Sequence, residues 1–191
     1  ALQRVPSGPL LGFWPLDDPP VDGLVNRDDY STSARCIGSV VFGIPDRHGR
    51  PAAARFEGGA HVAVTSLAPF VFSPTQSFTI QAWFQTVSAE NQVIAARPGA
   101  YSLGVKGRKL SAWVMQDGGH FVEAAGLAEA ADGQWHHAAA VYDRESQTLS
   151  VFLDGTPDGD PQSIDSVGSS SSGSPLTLGS FGSGFPFAGA L

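Results

Sequence analysis

The chain has 191 residues, and its 42% of hydrophobic and 10% of aromatic residues suffice for a folded core, which excludes a disordered chain. Only 15% of residues are charged, and 23 glycines and 14 prolines interrupt the chain at short intervals, which excludes long helices. The formal net charge of −7 argues against nucleic acid as a partner, because nucleic acids are bound by basic surfaces. No apolar run reaches the roughly 20 residues of a membrane span, so we expect no membrane insertion.

Short apolar runs between turn residues predict an all-β protein. In the first half of the chain the predicted strands are 10–16, 39–43, 52–57, 61–65 and 77–86. Within the last of these, Phe78, Ile80, Ala82 and Phe84 alternate with other residues, which predicts that they share the face turned to the core. Residues 17–38 are expected to form a long loop.

The second half continues this pattern with further predicted strands at 91–96, 100–105, 109–115, 120–125, 134–142, 148–153, 175–179 and 185–191. Short turns such as 106–108 and 143–147 are typical of hairpins. Residues 154–174, which include a serine run, are expected to form a second long loop. The spacing, with no internal repeat or linker, predicts one domain over residues 1–191, a two-sheet antiparallel jelly-roll sandwich.

Several segments carry family motifs in a fixed order. Residues 135–143 read WHHAAAVYD, 149–155 read LSVFLDG, and 77–86 read SFTIQAWFQT. The flanking motifs are GFWPL at 12–16, the stretch 49–58, LTLG at 176–179 and FAGAL at 187–191. Together they resemble the laminin-G-like domains of the concanavalin A-like lectin/glucanase superfamily, to which the pentraxins are related. The resemblance covers nearly the whole chain and implies the same jelly-roll sandwich.

The last of these motifs departs from the family pattern. In the family it continues into a closing strand that pairs with the first strand, whereas this sequence stops at Leu191. We therefore expect a jelly roll lacking its closing strand, in which the edge beside residues 10–16 is open and available for association with another chain. Cys36 is the single cysteine. The resemblance implies a partner for it beyond Leu191, and a buried free thiol is the other interpretation.

A catalytic function finds little support among the acidic residues and histidines. Retaining glucanases of this superfamily use paired carboxylates from an E-x-D-x-x-E strand, and none of the five glutamates begins that spacing. No G-x-S-x-G motif is present. His136 and His137 are adjacent on a predicted strand, so their side chains point to opposite faces and cannot chelate one metal ion. The sequence therefore predicts a domain that is not an enzyme.

Calcium is the most plausible ion, since it prefers several oxygen ligands supplied by loops. The resemblance implies a calcium site at Asp28, with Asp29 as its neighbour; turn-forming aspartates facing solvent are the alternative. Residues 154–165 place aspartates at an EF-hand-like spacing, but a strand precedes Asp154 where an EF-hand has a helix. We expect this segment to be a hairpin loop.

Aromatic side chains in loops are the candidates for ligand contact, because sugars and proteins both dock on exposed rings. These are Tyr30, Phe121, Phe181 and Phe185, with Arg97 as a polar partner. Trp83 and Trp113 lie in predicted strands and are expected to be buried. The resemblance implies an extracellular or cell-surface recognition module that binds a glycan or a protein partner. The alternatives are an adhesion module without sugar binding and, disfavoured, a glycoside hydrolase-related domain.

Overall fold

The computed structural model describes residues 10–17, 24–25, 33–64, 70–72, 75–117, 119–165, 173–182 and 184–191. These residues form β-strands and contain no α-helix, and none of them builds a helix long and apolar enough to cross a membrane. The strands are β1 (Leu24–Val25), β2 (Ser33–Ile37), β3 (Val40–Pro45), β4 (Pro51–Phe56), β5 (His61–Val64), β6 (Phe78–Phe84), β7 (Gln92–Arg97), β8 (Tyr101–Lys106), β9 (Lys109–Met115), β10 (Phe121–Ala125), β11 (His136–Asp143), β12 (Thr148–Leu153), β13 (Thr156–Pro157), β14 (Gln162–Ser163), β15 (Thr177–Leu178) and β16 (Gly189–Ala190).

The strands form two layers in which every pairing is antiparallel. The first layer, here called the long sheet, has the order β1-β2-β5-β15-β7-β8-β9-β10. The second layer combines β13-β12-β11-β6, with β14 on β12, and the three strands β16-β4-β3. A bridge between Gln85 and Ala190 joins these two groups into one layer. The all-β jelly-roll sandwich predicted from the sequence is confirmed.

Residues with positive φ form the tight turns at which the chain reverses between paired strands. Between β8 and β9, Gly107 has φ 55° and Arg108 has φ 70°, and positive φ at both central positions is the geometry of the tight turn that suits twisted hairpins. The same arrangement recurs at Asp154 and Gly155, with φ 51° and 79°. These local turns bring β9 back onto β8 and β13 back onto β12.

A single hydrophobic core fills the space between the layers. Its largest members include Phe56, Phe84 and Phe187, whose side chains are fully buried. The alternation expected in β6 is confirmed, because Phe78 and Phe84 are buried while Gln81 between them is exposed. Packing of alternating residues from both layers therefore holds the sandwich together.

Three sequence predictions about the chain's course are wrong. Residues 10–16 form no strand. Pro15 has no N–H to donate to a strand ladder, and Leu16 has a positive φ of 57°, which a strand does not accommodate. The open sheet edge that was expected beside a strand at 10–16 is therefore not formed by these residues. Residues 17–38 are not one loop, because β1 and β2 lie within them and β2 pairs with β5. Residues 154–174 likewise contain β13 and β14, which pair with β12.

Candidate functional site

The outer face of the long sheet carries a tryptophan that is partly exposed. In β9, Leu110, Ala112 and Val114 are buried in the core. Because side chains alternate along a strand, Trp113 and its neighbours on the same face point outward, away from the second layer. Trp113 is half-buried, so part of its ring is open to a ligand.

Three phenylalanines form a row with this tryptophan, here called the aromatic strip and defined as Trp113, Phe121, Phe181 and Phe185. The ring centroids of Trp113 lie 6.0 Å from Phe121 and 5.4 Å from Phe181, and those of Phe181 and Phe185 are 6.3 Å apart. Phe121 is 61% exposed and Phe185 52% exposed. The strip is therefore a continuous row of rings with a solvent-facing surface.

Phe181 reaches Trp113 because the loop after β15 folds back over the long sheet. Thr177 donates a hydrogen bond from Oγ1 to the carbonyl of Ser180 at 2.6 Å, and Ser180 is buried. Phe181 and Gly184 then exchange two backbone hydrogen bonds of 2.8 and 2.9 Å, which close a tight turn. These hydrogen bonds fix the base of the loop, and the Phe181 ring contacts the sheet tryptophan in a T-shaped arrangement.

Phe185 has an unusual backbone that keeps its ring outside. Its φ is 50°, a left-handed conformation that costs a side-chain-bearing residue roughly 1–2 kcal/mol. Its carbonyl accepts a hydrogen bond from the N–H of Val93 in β7 at 3.0 Å, and that bond holds the strained residue in place. An exposed aromatic residue maintained at such a cost is typical of functional surfaces.

Glu123 supplies the polar border of the strip. It lies directly opposite Trp113 in the β9–β10 register, so the two side chains share the outer face. Lys106 donates from Nζ to Glu123 Oε2 at 2.8 Å, and Ser111 donates from Oγ to Oε1 at 2.7 Å. Partial burial alone would raise the pKa of Glu123, but these two hydrogen bonds outweigh it and lower the pKa. The site thus combines aromatic faces with an ionised hydrogen-bond acceptor.

Sequence comparison assigns the family. The laminin G family model, described as the concanavalin A-like lectin/glucanases superfamily, matches residues 56–191. The chain belongs to this family. No curated protein matches this laminin-G-like chain in sequence.

Solved structures with the same fold include three toxin domains. The binding domain of Paraclostridial Mosquitocidal Protein 1 aligns with a TM-score of 0.72 and 12% identity, covering 90% of this chain and 45% of that one. A botulinum neurotoxin type C structure aligns with a TM-score of 0.64 and 15% identity, covering 87% of this chain and 42% of that one. The binding domain of botulinum neurotoxin DC aligns with a TM-score of 0.66 and 15% identity, covering 87% of this chain and 43% of that one. The laminin-G-like chain therefore spans less than half the length of these structures and shares their fold.

The structure brings together three of the predicted ligand-binding residues. Phe121, Phe181 and Phe185 all belong to the aromatic strip. Arg97 does not join them: its side chain is buried and donates to the carbonyls of Phe70 at 3.1 Å and Ser174 at 3.2 Å. The predicted residues Tyr30, Asp28 and Asp29 lie outside the described part of the chain.

The expectation of burial is wrong for one of the strand tryptophans and incomplete for the other. Trp83 is 38% exposed, and Trp113 is half-buried at the centre of the strip. The signal was present in the sequence for Trp113, because Leu110, Ala112 and Val114 alternate with it and already define the opposite, apolar face.

The aspartates of the EF-hand-like segment serve the fold. Asp154 accepts hydrogen bonds from the ring Nδ1 of His136 at 2.7 Å and from the N–H of His137 at 2.8 Å. Asp158 accepts from two backbone N–H groups. Within the described ranges no three His, Cys, Asp or Glu residues cluster as metal ligands would. The segment turns back on β12 as expected of a hairpin, but it is not a loop throughout, because β13 and β14 within it pair with β12.

His136 bridges two carboxylates at the start of β11. Besides Asp154, its ring Nε2 donates to Asp132 at 3.1 Å. Burial by itself would lower the pKa of His136, but the hydrogen bonds to Asp154 and Asp132 outweigh it and raise the pKa. The histidine therefore fastens the strand start to two loops, a structural role.

Proposed function

We propose that this laminin-G-like domain is a non-catalytic recognition module that binds a neutral glycan on the aromatic strip. The observation that carries the proposal is the row of four contacting rings, of which Phe121 and Phe185 are more than half exposed. Covering exposed rings releases water and is favourable, and such surfaces concentrate binding energy. The C–H faces of sugar rings suit aromatic surfaces, and sugar hydroxyls require acceptors such as Glu123.

The charge at the border favours a neutral sugar. Glu123 is the carboxylate directly beside Trp113, and its lowered pKa keeps it ionised, so it accepts hydrogen bonds from hydroxyl groups, while its ion pair with Lys106 leaves this pair without net charge. Two of the structural relatives support recognition in general terms. Cell entry of botulinum neurotoxin type C is described as dependent on two ganglioside molecules, and the neurotoxin DC domain is described in complex with rat synaptotagmin II.

The same carboxylate argues for binding without catalysis. A retaining glycosidase needs a second carboxyl group about 5–5.5 Å from the first. The hydrogen-bond partners of Glu123 among the described residues are an ammonium and a hydroxyl group. We therefore assign Glu123 to ligand orientation.

A neutral-glycan array tests the proposal with matched variants. Phe121→Ala and Phe185→Ala each remove an exposed ring of the strip, and Leu127→Ala removes an even more exposed apolar side chain elsewhere. We expect binding to weaken about 5- to 10-fold in the two phenylalanine variants, since an exposed aromatic contact contributes on the order of 1 kcal/mol. Leu127→Ala should bind as the wild type does. An array with no neutral glycan bound, or equal binding by all variants, contradicts the proposal and favours a protein partner.

We further propose that calcium assists this binding and that the domain acts outside the cell or at its surface. Both parts rest on the family resemblance, which assigns calcium to Asp28 and Asp29. Repeating the array in EDTA, and with Asp28→Asn in calcium, tests the ion. Glycan binding that survives in EDTA contradicts calcium assistance and leaves the aromatic strip as the binding surface.

A further inference from the structure

A second exposed tryptophan lies on the opposite layer of the sandwich. In β6, Ala82 and Phe84 turn toward the core, so Trp83 points outward from the second layer, and it is 38% exposed. The aromatic strip lies on the outer face of the long sheet. The two tryptophan surfaces are therefore separated by the whole thickness of the domain.

An arginine from the β3–β4 hairpin covers this tryptophan. The guanidinium carbon of Arg47 is 4.1 Å from the centroid of the Trp83 ring, a cation–π contact. The hairpin is shaped by Asp46, which accepts backbone hydrogen bonds from His48 and Arg50 at 2.8 and 2.9 Å. The turn therefore fixes the point from which Arg47 extends.

Arg47 differs from two other arginines in its ionic contacts. Arg50 forms an ion pair of 2.8 Å with Asp46, and Arg108 pairs with Glu129. The ion pairs of the described residues include none with Arg47, although the chain carries a net charge of −7. A guanidinium that rests on a ring face retains its fork of N–H donors for a carboxylate.

His137 completes the surface beside the tryptophan. It pairs with Trp83 in the β6–β11 register, and the two ring centroids are 5.2 Å apart. The pKa of His137 is lowered, mainly by partial burial. The negative charge of Asp154 opposes this shift, and the positive charge of Arg47 adds to it. The imidazole is therefore neutral at pH 7 and offers a hydrogen bond without adding charge.

We propose that Trp83, Arg47 and His137 form a second binding site, whose ligand is a carboxylate-bearing sugar such as a hexuronic acid residue. The guanidinium binds the carboxylate through paired hydrogen bonds. The exposed part of the indole packs on the sugar ring, and His137 binds a hydroxyl group. The site is independent of the aromatic strip, and the positive charge of Arg47 selects acidic sugars over neutral ones.

NMR titration of the whole chain with methyl β-D-glucuronide tests the proposal, with methyl β-D-glucoside as the neutral control. We expect the Trp83 indole N–H resonance to shift with the glucuronide and to stay in place with the glucoside. Arg47→Gln should raise the Kd at least 5-fold, and Arg47→Lys should give an intermediate value because it keeps the charge and loses the fork. Arg144→Gln, an exposed arginine in the turn after β11, is the matched charge control and should leave the Kd unchanged.

Three results would overturn the second site. Equal affinity for the glucoside would show that the carboxylate is not recognised. Equal Kd values for Arg47→Gln and Arg144→Gln would remove Arg47 from the site. The same Trp83 shift and affinity with acetate would show that no sugar ring is bound. Phe121→Ala should bind the glucuronide normally, so a failed neutral-glycan array would leave this test unaffected.

Discussion

Replacing Asp158 with alanine should destabilise the fold strongly, while replacing it with asparagine should not. Asp158 is 7% exposed, and its Oδ1 accepts hydrogen bonds from the N–H groups of Leu127 and Ala128 at 2.8 and 2.9 Å. Alanine leaves two part-buried donors without this partner, at about 1 kcal/mol each because water can reach them. We expect a loss of about 2 kcal/mol, which corresponds to a Tm lower by about 4–8 °C for a chain of this size.

Asparagine preserves the side-chain oxygen that accepts these two hydrogen bonds. The other carboxylate oxygen, Oδ2, is buried without a hydrogen-bond partner among the described residues, so converting it to an amide nitrogen breaks no hydrogen bond and costs about 1 kcal/mol for burying the N–H groups. Asp158→Asn should therefore lie within about 1 kcal/mol of the wild type.

Urea unfolding followed by tryptophan fluorescence measures both variants. Equal destabilisation by alanine and asparagine would show that the negative charge matters more than the two hydrogen bonds. Calcium provides a further check on the EF-hand-like spacing. If calcium raised the Tm of the wild type but not of Asp158→Asn, Asp158 would be a metal ligand and the structural assignment would be wrong.

Three further predictions concern stability. His136→Gln should lower the free energy of unfolding more at pH 5.5 than at pH 8.5. The folded state raises the pKa of His136, so the histidine stabilises the fold below its unfolded-state pKa near 6.5, and this stabilisation is lost as the pH rises through the folded-state pKa. Urea titrations that show an equal loss at both pH values would contradict this. Gly104→Ala should lower the Tm, since its Cβ would lie 2.2 Å from a backbone oxygen of β7, while Gly173→Ala, with open space around it, should not. Phe187→Ala should lower the free energy of unfolding by about 3–5 kcal/mol, measured by chemical denaturation, because its ring is fully buried. Phe121→Ala should change it by no more than about 0.5 kcal/mol, and similar losses in the two variants would argue against an exposed Phe121.

The sequence predicted the centre of the fold better than its beginning. The alternation in 77–86 and the glycine-containing turn at 106–108 determine β6, β8 and β9 through local rules, and these elements are where they were expected. In contrast, β2 was missed. Its residues, SARCI, carry only a weak apolar alternation, and pairing with β5 stabilises it.

The candidate site was only half accessible to sequence reasoning. Exposure of Phe121 and Phe185 was expected, although Phe121 begins β10 and does not lie in a loop. The β9–β10 hairpin brings Phe121 to Trp113, whereas the position of Phe185 depends on a long-range backbone contact with Val93. Trp83 shows a different failure. The alternation had already placed it on the face shared with Gln81, and the expectation of burial followed its residue type instead of that pattern.

NMR mapping of a bound neutral glycan shows whether the aromatic strip is the binding surface. The ligand would be the strongest neutral binder from the array, added to the isotope-labelled chain. We expect the Trp113 indole N–H and the amides of Phe121, Phe181 and Phe185 to shift together and saturably, while the Trp83 indole does not move. Saturable shifts confined to other residues, with the aromatic strip unchanged, would contradict binding at the strip.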